Sequence, residues 1–145
     1  MTLLELCDPE SAAVHLQSNV ADAIRMMLNR HVGAVAVVNS ERRVAGIFTE
    51  RDVLRKLSLS GRDPEKTSVC ELMTTPVELA TLVTSLGEAM STMVERHYRH
   101  LPVVDDDARL LGIVSIRHIL QAHIDDLTQE LDSLEQYVCA DGPGG

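Results

Sequence analysis

Gly46-Ile47-Phe48-Thr49-Glu50-Arg51-Asp52 returns 66 positions later as Gly112-Ile113-Val114-Ser115-Ile116-Arg117-His118, and this pair decides the fold. Working outward from it, the same shift lays residues 19–54 over residues 85–120 without a gap. Ala23, Met27, Arg30, His31, Val37, Val38, Gly46, Ile47, Arg51 and Leu54 all meet identical residues. Val20/Leu86, Ile24/Met90 and Thr49/Ser115 meet conservative ones at positions that pattern a core. Two copies of one supersecondary unit are present, and such units close their cores against each other.

Each copy reads as strand, helix, strand, strand, helix. Val20, Ala23, Ile24, Met27 and Leu28 follow the spacing of an amphipathic helix, and Leu86, Ala89, Met90, Met93 and Val94 repeat it. Ser85 with Glu88 forms a capping box, and Asn19 with Asp22 a weaker one. The apolar runs 35–38 and 101–104, each followed after a polar turn by 44–48 and 110–114, read as hairpins. Pro102 has no N–H for a ladder, so it is expected at the start or edge of its strand. Weaker strands are expected at Ala12–Leu16 and Val77–Leu82, and a closing helix near Thr49 and near Ser115. Ser58–Lys66 reads as a linker and Ser68–Met73 as a short helix.

The expected division is residues 1–66 for the first repeat with its N-terminal segment and linker, 67–122 for the second, 123–139 for a C-terminal helix, and a disordered tail at 140–145. In that helix Leu120, Ile124, Leu127, Leu131, Leu134 and Val138 are spaced as the a/d stripe of a coiled coil. So short a stripe needs a partner surface, either the body of its own chain or another subunit's helix.

The 145 residues carry 45 % hydrophobic residues, three aromatics (Phe48, Tyr98, Tyr137) and a formal charge of −9. An acidic chain so poor in aromatics lacks the basic surface and stacking platforms that nucleic acids require. No apolar run reaches the roughly 20 residues of a membrane span, and Met1–Asp8 does not read as a signal peptide, so the cytoplasm is the expected address. Cys7, Cys70 and Cys139 are far apart and encode neither a disulfide framework nor a zinc knuckle. No catalytic constellation or phosphate-binding Gly-rich loop stands out, so no catalytic residue is expected. His97-x-x-His100 and His118-x-x-x-x-His123 are the candidate metal ligands, but the second spacing does not suit a helical chelate. No metal site is therefore assigned, and a metal-binding protein is a minor alternative.

The chemistry gathers where the hairpin turns into a helix. At Thr49–Asp52 there is a helix start with free N–H groups, a hydroxyl, an arginine and a carboxylate. Phosphate suits the donors, and a carboxylate can accept both hydroxyls of a ribose. The same residues also read as a plain helix cap.

Through Gly46–Asp52, Cys70-Glu71-Leu72-Met73-Thr74, Tyr98-Arg99-His100-Leu101-Pro102-Val103-Val104-Asp105 and Gly112–Arg117, the chain resembles a tandem pair of CBS (cystathionine β-synthase) domains, a stand-alone Bateman module, over about residues 4–122. The resemblance implies an α+β fold of two β-α-β-β-α units packed as a pseudo-twofold pair, with an extended C-terminal helix here. It also implies two clefts for adenosine nucleotides such as AMP, ADP or ATP, or for related adenosyl ligands, bound with or without magnesium on the phosphates and with no cofactor required. Such modules form homodimers and signal to an effector protein. Carried over, Thr49 and Ser115 supply the hydroxyls and Asp52 holds the ribose, with Ala13, Val14, Val35 and Arg51 completing site one. Site two takes Leu79, Ala80, Arg99, His100, Leu101, Ser115, Arg117 and His118.

This second site is expected to be weaker, because His118 replaces the aspartate. The family's Thr-x-x-Pro is also missing, at Ala13-Val14-His15-Leu16 and at Leu79-Ala80-Thr81-Leu82. The competing reading is a ligand-free dimeric adaptor.

Overall fold

A computed structural model describes residues 2–140, with side chains through Val138, so the expectation of a disordered tail lies, beyond Ala140, outside the described residues. The order is α1 (Leu3–Leu6), β1 (Ala13–His15), α2 (Val20–Arg30), β2 (Ala34–Val38), β3 (Val44–Thr49) and α3 (Glu50–Asp52), which widens into a π-helical turn over Val53–Leu57. Then come α4 (Val69–Leu72), β4 (Ala80–Thr81), α5 (Leu86–Arg96), β5 (His100–Val104), β6 (Leu110–Ser115) and α6 (Ile116–Ala140). Two three-stranded sheets result, β1-β2-β3 and β4-β5-β6, each with one parallel and one antiparallel pair.

The 66-residue shift holds residue pair by residue pair. Val37 faces Gly46 and Val103 faces Gly112, and the register slips between Val37/Val38 and between Val103/Val104. His31 and His97 cap α2 and α5 in the left-handed conformation. Arg42 and Ala108 share a positive φ in the hairpin turns. Those turns meet on the pseudo-twofold axis, where Val44 N–H donates to Ala108 O and Leu110 N–H to Arg42 O. Ala36, Val38, Leu110 and Ile113 form an apolar seam between the sheets.

Pro102 departs from expectation. It lies buried inside β5, the central strand, opposite Ile113. In the first copy Ala36 N–H donates to Ala12 O at 3.0 Å. Proline at the equivalent position has no such hydrogen, which explains why β4 is a residue shorter than β1.

The cores do not follow the division at Lys66. Leu3 of α1, which precedes the first repeat, packs with Met93, Leu101 and Ile119 in the second core. Val69 and Leu72 of α4, which precedes the second repeat, pack with Val20, Val35 and Phe48 in the first. Each repeat thus sends its leading segment across to the other. Gly46 and Gly112 permit the crossing: a Cβ on Gly46 would stand 2.7 Å from Met73 Sδ and 2.9 Å from Thr74 O, and one on Gly112 would stand 2.8 Å from Cys7 Cβ and Sγ. Thr74 also exchanges both backbone hydrogen bonds with Ile47, and Asp8 N–H donates to Ile113 O. Half burial pushes the Cys7 thiol up to about 11, with Asp8 adding to the effect, so it is an inert packing group.

One helical expectation is corrected, and of the two partner surfaces left open for the C-terminal stripe one is removed. Leu28 and Val94 lie outside the core, at 68 % and 63 % exposure. The C-terminal stripe does not lie on its own body, because α6 runs straight on after Ala122 with Ile124 to Val138 exposed.

Candidate functional site: two clefts at the helix starts

A cavity of about 730 Å³ opens at the start of α3 and a second, of about 660 Å³, at the start of α6. Both fall in the size range of small-molecule sites. Each is built from both repeats. The first combines Thr49, Arg51, Asp52, Arg55 and Lys56 with Arg96–His100 from the end of α5 and with Thr74 and Val77 of the crossing segment. The second combines Ser115, Arg117 and His118 with Asp8, Leu28, His31 and Val32. Gly33, Glu50, Arg99 and His100 border both, forming the wall between them. That wall is tight, since a Cβ on Gly33 would come within 3.3 Å of the His100 ring and 3.5 Å of Glu50 Cδ.

Thr49 and Asp52 form a reciprocal cap. Asp52 N–H donates to Thr49 Oγ1 at 3.3 Å, and Thr49 N–H donates back to Asp52 Oδ2 at 3.0 Å. The carboxylate is 4 % exposed as a residue and its other oxygen is occupied as well. Thr74 Oγ1 donates to Oδ1 at 2.8 Å, and Lys56 Nζ lies 3.0 Å from the same atom. Lys56 also donates to Leu72 O at 3.0 Å and Met73 O at 3.3 Å, tying the end of α4 to the cavity. A ribose would reach Asp52 Oδ1 by displacing Lys56 or Thr74. Arg51 spans the cleft, donating to His97 O at 3.0 Å.

In the second cavity the Ser115 hydroxyl accepts from His118 N–H at 3.3 Å and shares a 2.6 Å hydrogen bond with His118 Nδ1. With the hydroxyl donating, the ring keeps its proton on Nε2 and offers a donor where the first copy offers a carboxylate. Burial pushes the His100 imidazole below its ordinary range; Arg99 and His118 add to this, while Asp8 opposes it.

The electrostatics of the first cavity run against those of the chain. In a protein of net charge −9, its rim carries Arg51, Arg55 and Arg99, none of them ion-paired among the described residues. Lys56 pairs with Asp52, and Arg96 with Glu78 at 3.5 Å.

Of the expected site-one residues, Thr49, Arg51 and Asp52 come together, while Ala13, Val14 and Val35 border neither cavity. Val14 and Val35 belong to the first core and Ala13 packs on the seam between the sheets. Of site two, Arg99, His100, Ser115, Arg117 and His118 converge. Ala80 and Leu101 are buried in the second core and Leu79 stands outside the cavities. Residues not foreseen include Arg55, Lys56, Thr74 and Val77 at the first cavity and Asp8, His31 and Val32 at the second. Lys56 had a signal, its i, i+4 spacing from Asp52.

A profile for the CBS domain matches residues 5–59 and 69–125. The chain belongs to the CBS family. It is 37 % identical over 123 residues to the mitochondrial CBS domain-containing protein CBSX3 of Arabidopsis thaliana, covering 82 % of this chain and 59 % of that one. Among solved structures, a CBS-domain protein from Burkholderia ambifaria MC40-6 superposes with a TM-score of 0.77 at 35 % identity, over 87 % of this chain and 96 % of that one. Hypoxic Response Protein I, whose structure holds two coordinated zinc ions, superposes at 0.75 with 25 % identity, over 83 % of this chain and 98 % of that one. Among the described residues of this chain, no three His, Cys, Asp or Glu side chains are placed to hold a metal. The chain spans about half to two thirds of the length of three of the curated relatives it matches and about a third or less of others. CBS pairs are typically regulatory modules, often nucleotide-binding, and not enzymes. No helix among the described residues is long and apolar enough to cross a membrane.

Proposed function

We propose that this CBS pair is a cytoplasmic, non-catalytic sensor that binds an adenosine nucleotide in the Asp52 cavity and reports its occupancy to an effector protein by a change of shape. The observation that supports this reading is the trio Arg51, Arg55 and Arg99, which border one cleft of an acidic protein and form no ion pair among the described residues. They suit the phosphates, with or without magnesium, and Thr49 and Asp52 suit the ribose once Lys56 turns away. Lys56 would then release the carbonyls of Leu72 and Met73, so occupancy would be felt in the segment that crosses between repeats. The His118 cavity is the weaker site, since an imidazole cannot grip a cis-diol as a carboxylate does.

Leu28 and Val94, and likewise Leu54 and Leu120, are exposed apolar residues at equivalent positions in the two repeats. They suit the face of a homodimer, in which ligand-dependent changes of angle become a population shift.

A ligand-free adaptor is the second reading. It is favoured by the Asp52 carboxylate, whose oxygens already have protein partners. A thermal-shift series against AMP, ADP, ATP, NAD and S-adenosylmethionine, with and without magnesium, separates the two. A ligand at 100 times its Kd adds about 2.7 kcal/mol of stability, several degrees in Tm. No shift with any of them favours the adaptor.

A further inference from the structure

Helix α6 leaves the body of the protein in mid-course. Ile119 and Ala122 are buried, whereas Ile124, Leu127, Leu131, Leu134 and Val138 are each 52–65 % exposed. Their spacing makes Ile124, Leu131 and Val138 the a positions and Leu127 and Leu134 the d positions of a coiled-coil seam. From His118 to Val138 the helix has no Lys or Arg and carries Asp125, Asp126, Glu130, Asp132 and Glu135. In this register Glu130 is a g residue and Glu135 an e residue, so both flank the seam.

The charges argue against a second copy as occupant. In a parallel pair Glu130 would face Glu135 of the second copy on both sides. With two antiparallel stripes in register, Glu130 would face its own symmetry mate. Neither orientation supplies a Lys or Arg to the flanks, and like charges across e and g positions oppose pairing. We propose that α6 beyond Ala122 is a docking strip for a basic amphipathic helix of another protein, apolar at a and d and carrying Lys or Arg on its flanks. Two heptads are few for a permanent coiled coil, so the contact is reversible and salt-sensitive. The strip is the same continuous helix that begins at the wall of the His118 cavity, which joins the docked partner rigidly to that cleft. This goes beyond the sensor reading and does not depend on nucleotide binding.

The test uses the full chain and two synthetic 21-residue heptad peptides with Ile at a and Leu at d, one with Lys and one with Glu at e and g. Isothermal titration at about 50 mM salt should show the Lys peptide binding one per chain and the Glu peptide at least tenfold weaker, with the preference shrinking at about 500 mM. L127K/L131K should lose binding. Glu130→Lys/Glu135→Lys, which leaves the seam and the helix intact by circular dichroism, should reverse the preference. The proposal is overturned if the Lys peptide does not bind or both peptides bind equally. It is also overturned if sedimentation shows the unliganded chain losing a subunit in L127K/L131K, which would give the strip to a second copy.

Discussion

Gly112→Ala tests the crossing of leading segments that joins the two repeats. The added methyl would stand 2.8 Å from both Cβ and Sγ of Cys7. Carbon atoms pack at about 3.5–4.0 Å, so the strap carrying Cys7 must retreat by about 1 Å. That retreat stretches Asp8 N–H to Ile113 O (2.9 Å), Ile113 N–H to Ser11 Oγ (3.0 Å) and Ser11 Oγ–H to Ile113 O (3.3 Å), and it draws Leu3 from the second core. Overpacking of this kind costs about 1–3 kcal/mol. Full release of the strap sets a ceiling of about 5 kcal/mol, from about 2 kcal/mol for Leu3 and about 1 kcal/mol for each hydrogen bond.

Urea denaturation of wild type, Gly112→Ala, Cys7→Gly and the double variant reads the effect. Cys7→Gly alone costs up to about 1 kcal/mol through backbone entropy, and it removes both atoms the methyl meets. The double variant should therefore be more stable than the sum of the single losses by at least about 1 kcal/mol. A Gly112→Ala protein as stable as wild type, or strictly additive losses, would refute the crossing as drawn.

The equivalent Gly46→Ala should cost at least as much, because the clash includes the Thr74 backbone oxygen, which cannot swing aside; denaturant midpoints test this. Burial holds the His100 imidazole below its ordinary range in the fold, with Arg99 and His118 adding to this and Asp8 opposing it. The unfolded chain therefore binds more protons between the lowered folded pKa and the ordinary value of about 6.5, so stability should fall as pH drops through that window. His100→Gln should flatten that acid limb in pH-dependent melting. Leu28→Glu/Leu54→Glu should convert a dimer to a monomer in light scattering with little loss of Tm, since both side chains are exposed; an unchanged mass would remove that face from the assembly.

The repeat was legible because it is written into every level at once, from the helix stripes to the register slips at Val38 and Val104. Thr49, Arg51 and Asp52 were legible for a local reason: their cap geometry spans four residues. Much of the rest depends on segments that meet only in three dimensions. Nothing in Thr74 or Val77 announces that the leading segment of the second repeat crosses to the first, and nothing in Arg96–His100 tells which cleft it borders. Apolar residues assigned to the sites with the resemblance, such as Val35 and Leu101, lie in the cores, because an apolar strand residue reads the same whether it faces a ligand or the interior. Leu28 and Val94 failed in the opposite sense: their helical phase is right, but no element among the described residues covers that edge of the helix.

The most direct test of the account is isothermal titration of AMP, ADP and ATP into wild type and Asp52→Ala at 25 °C. Asp52→Ala loses the hydrogen bonds from Thr49 N–H and Thr74 Oγ1 and the Lys56 ion pair, so circular dichroism first verifies that the variant is folded at this temperature. The account predicts that wild type binds at least one of these nucleotides and that Asp52→Ala weakens it by tenfold or more. Equal affinity in the two proteins, or no heat from any nucleotide with wild type, would contradict it.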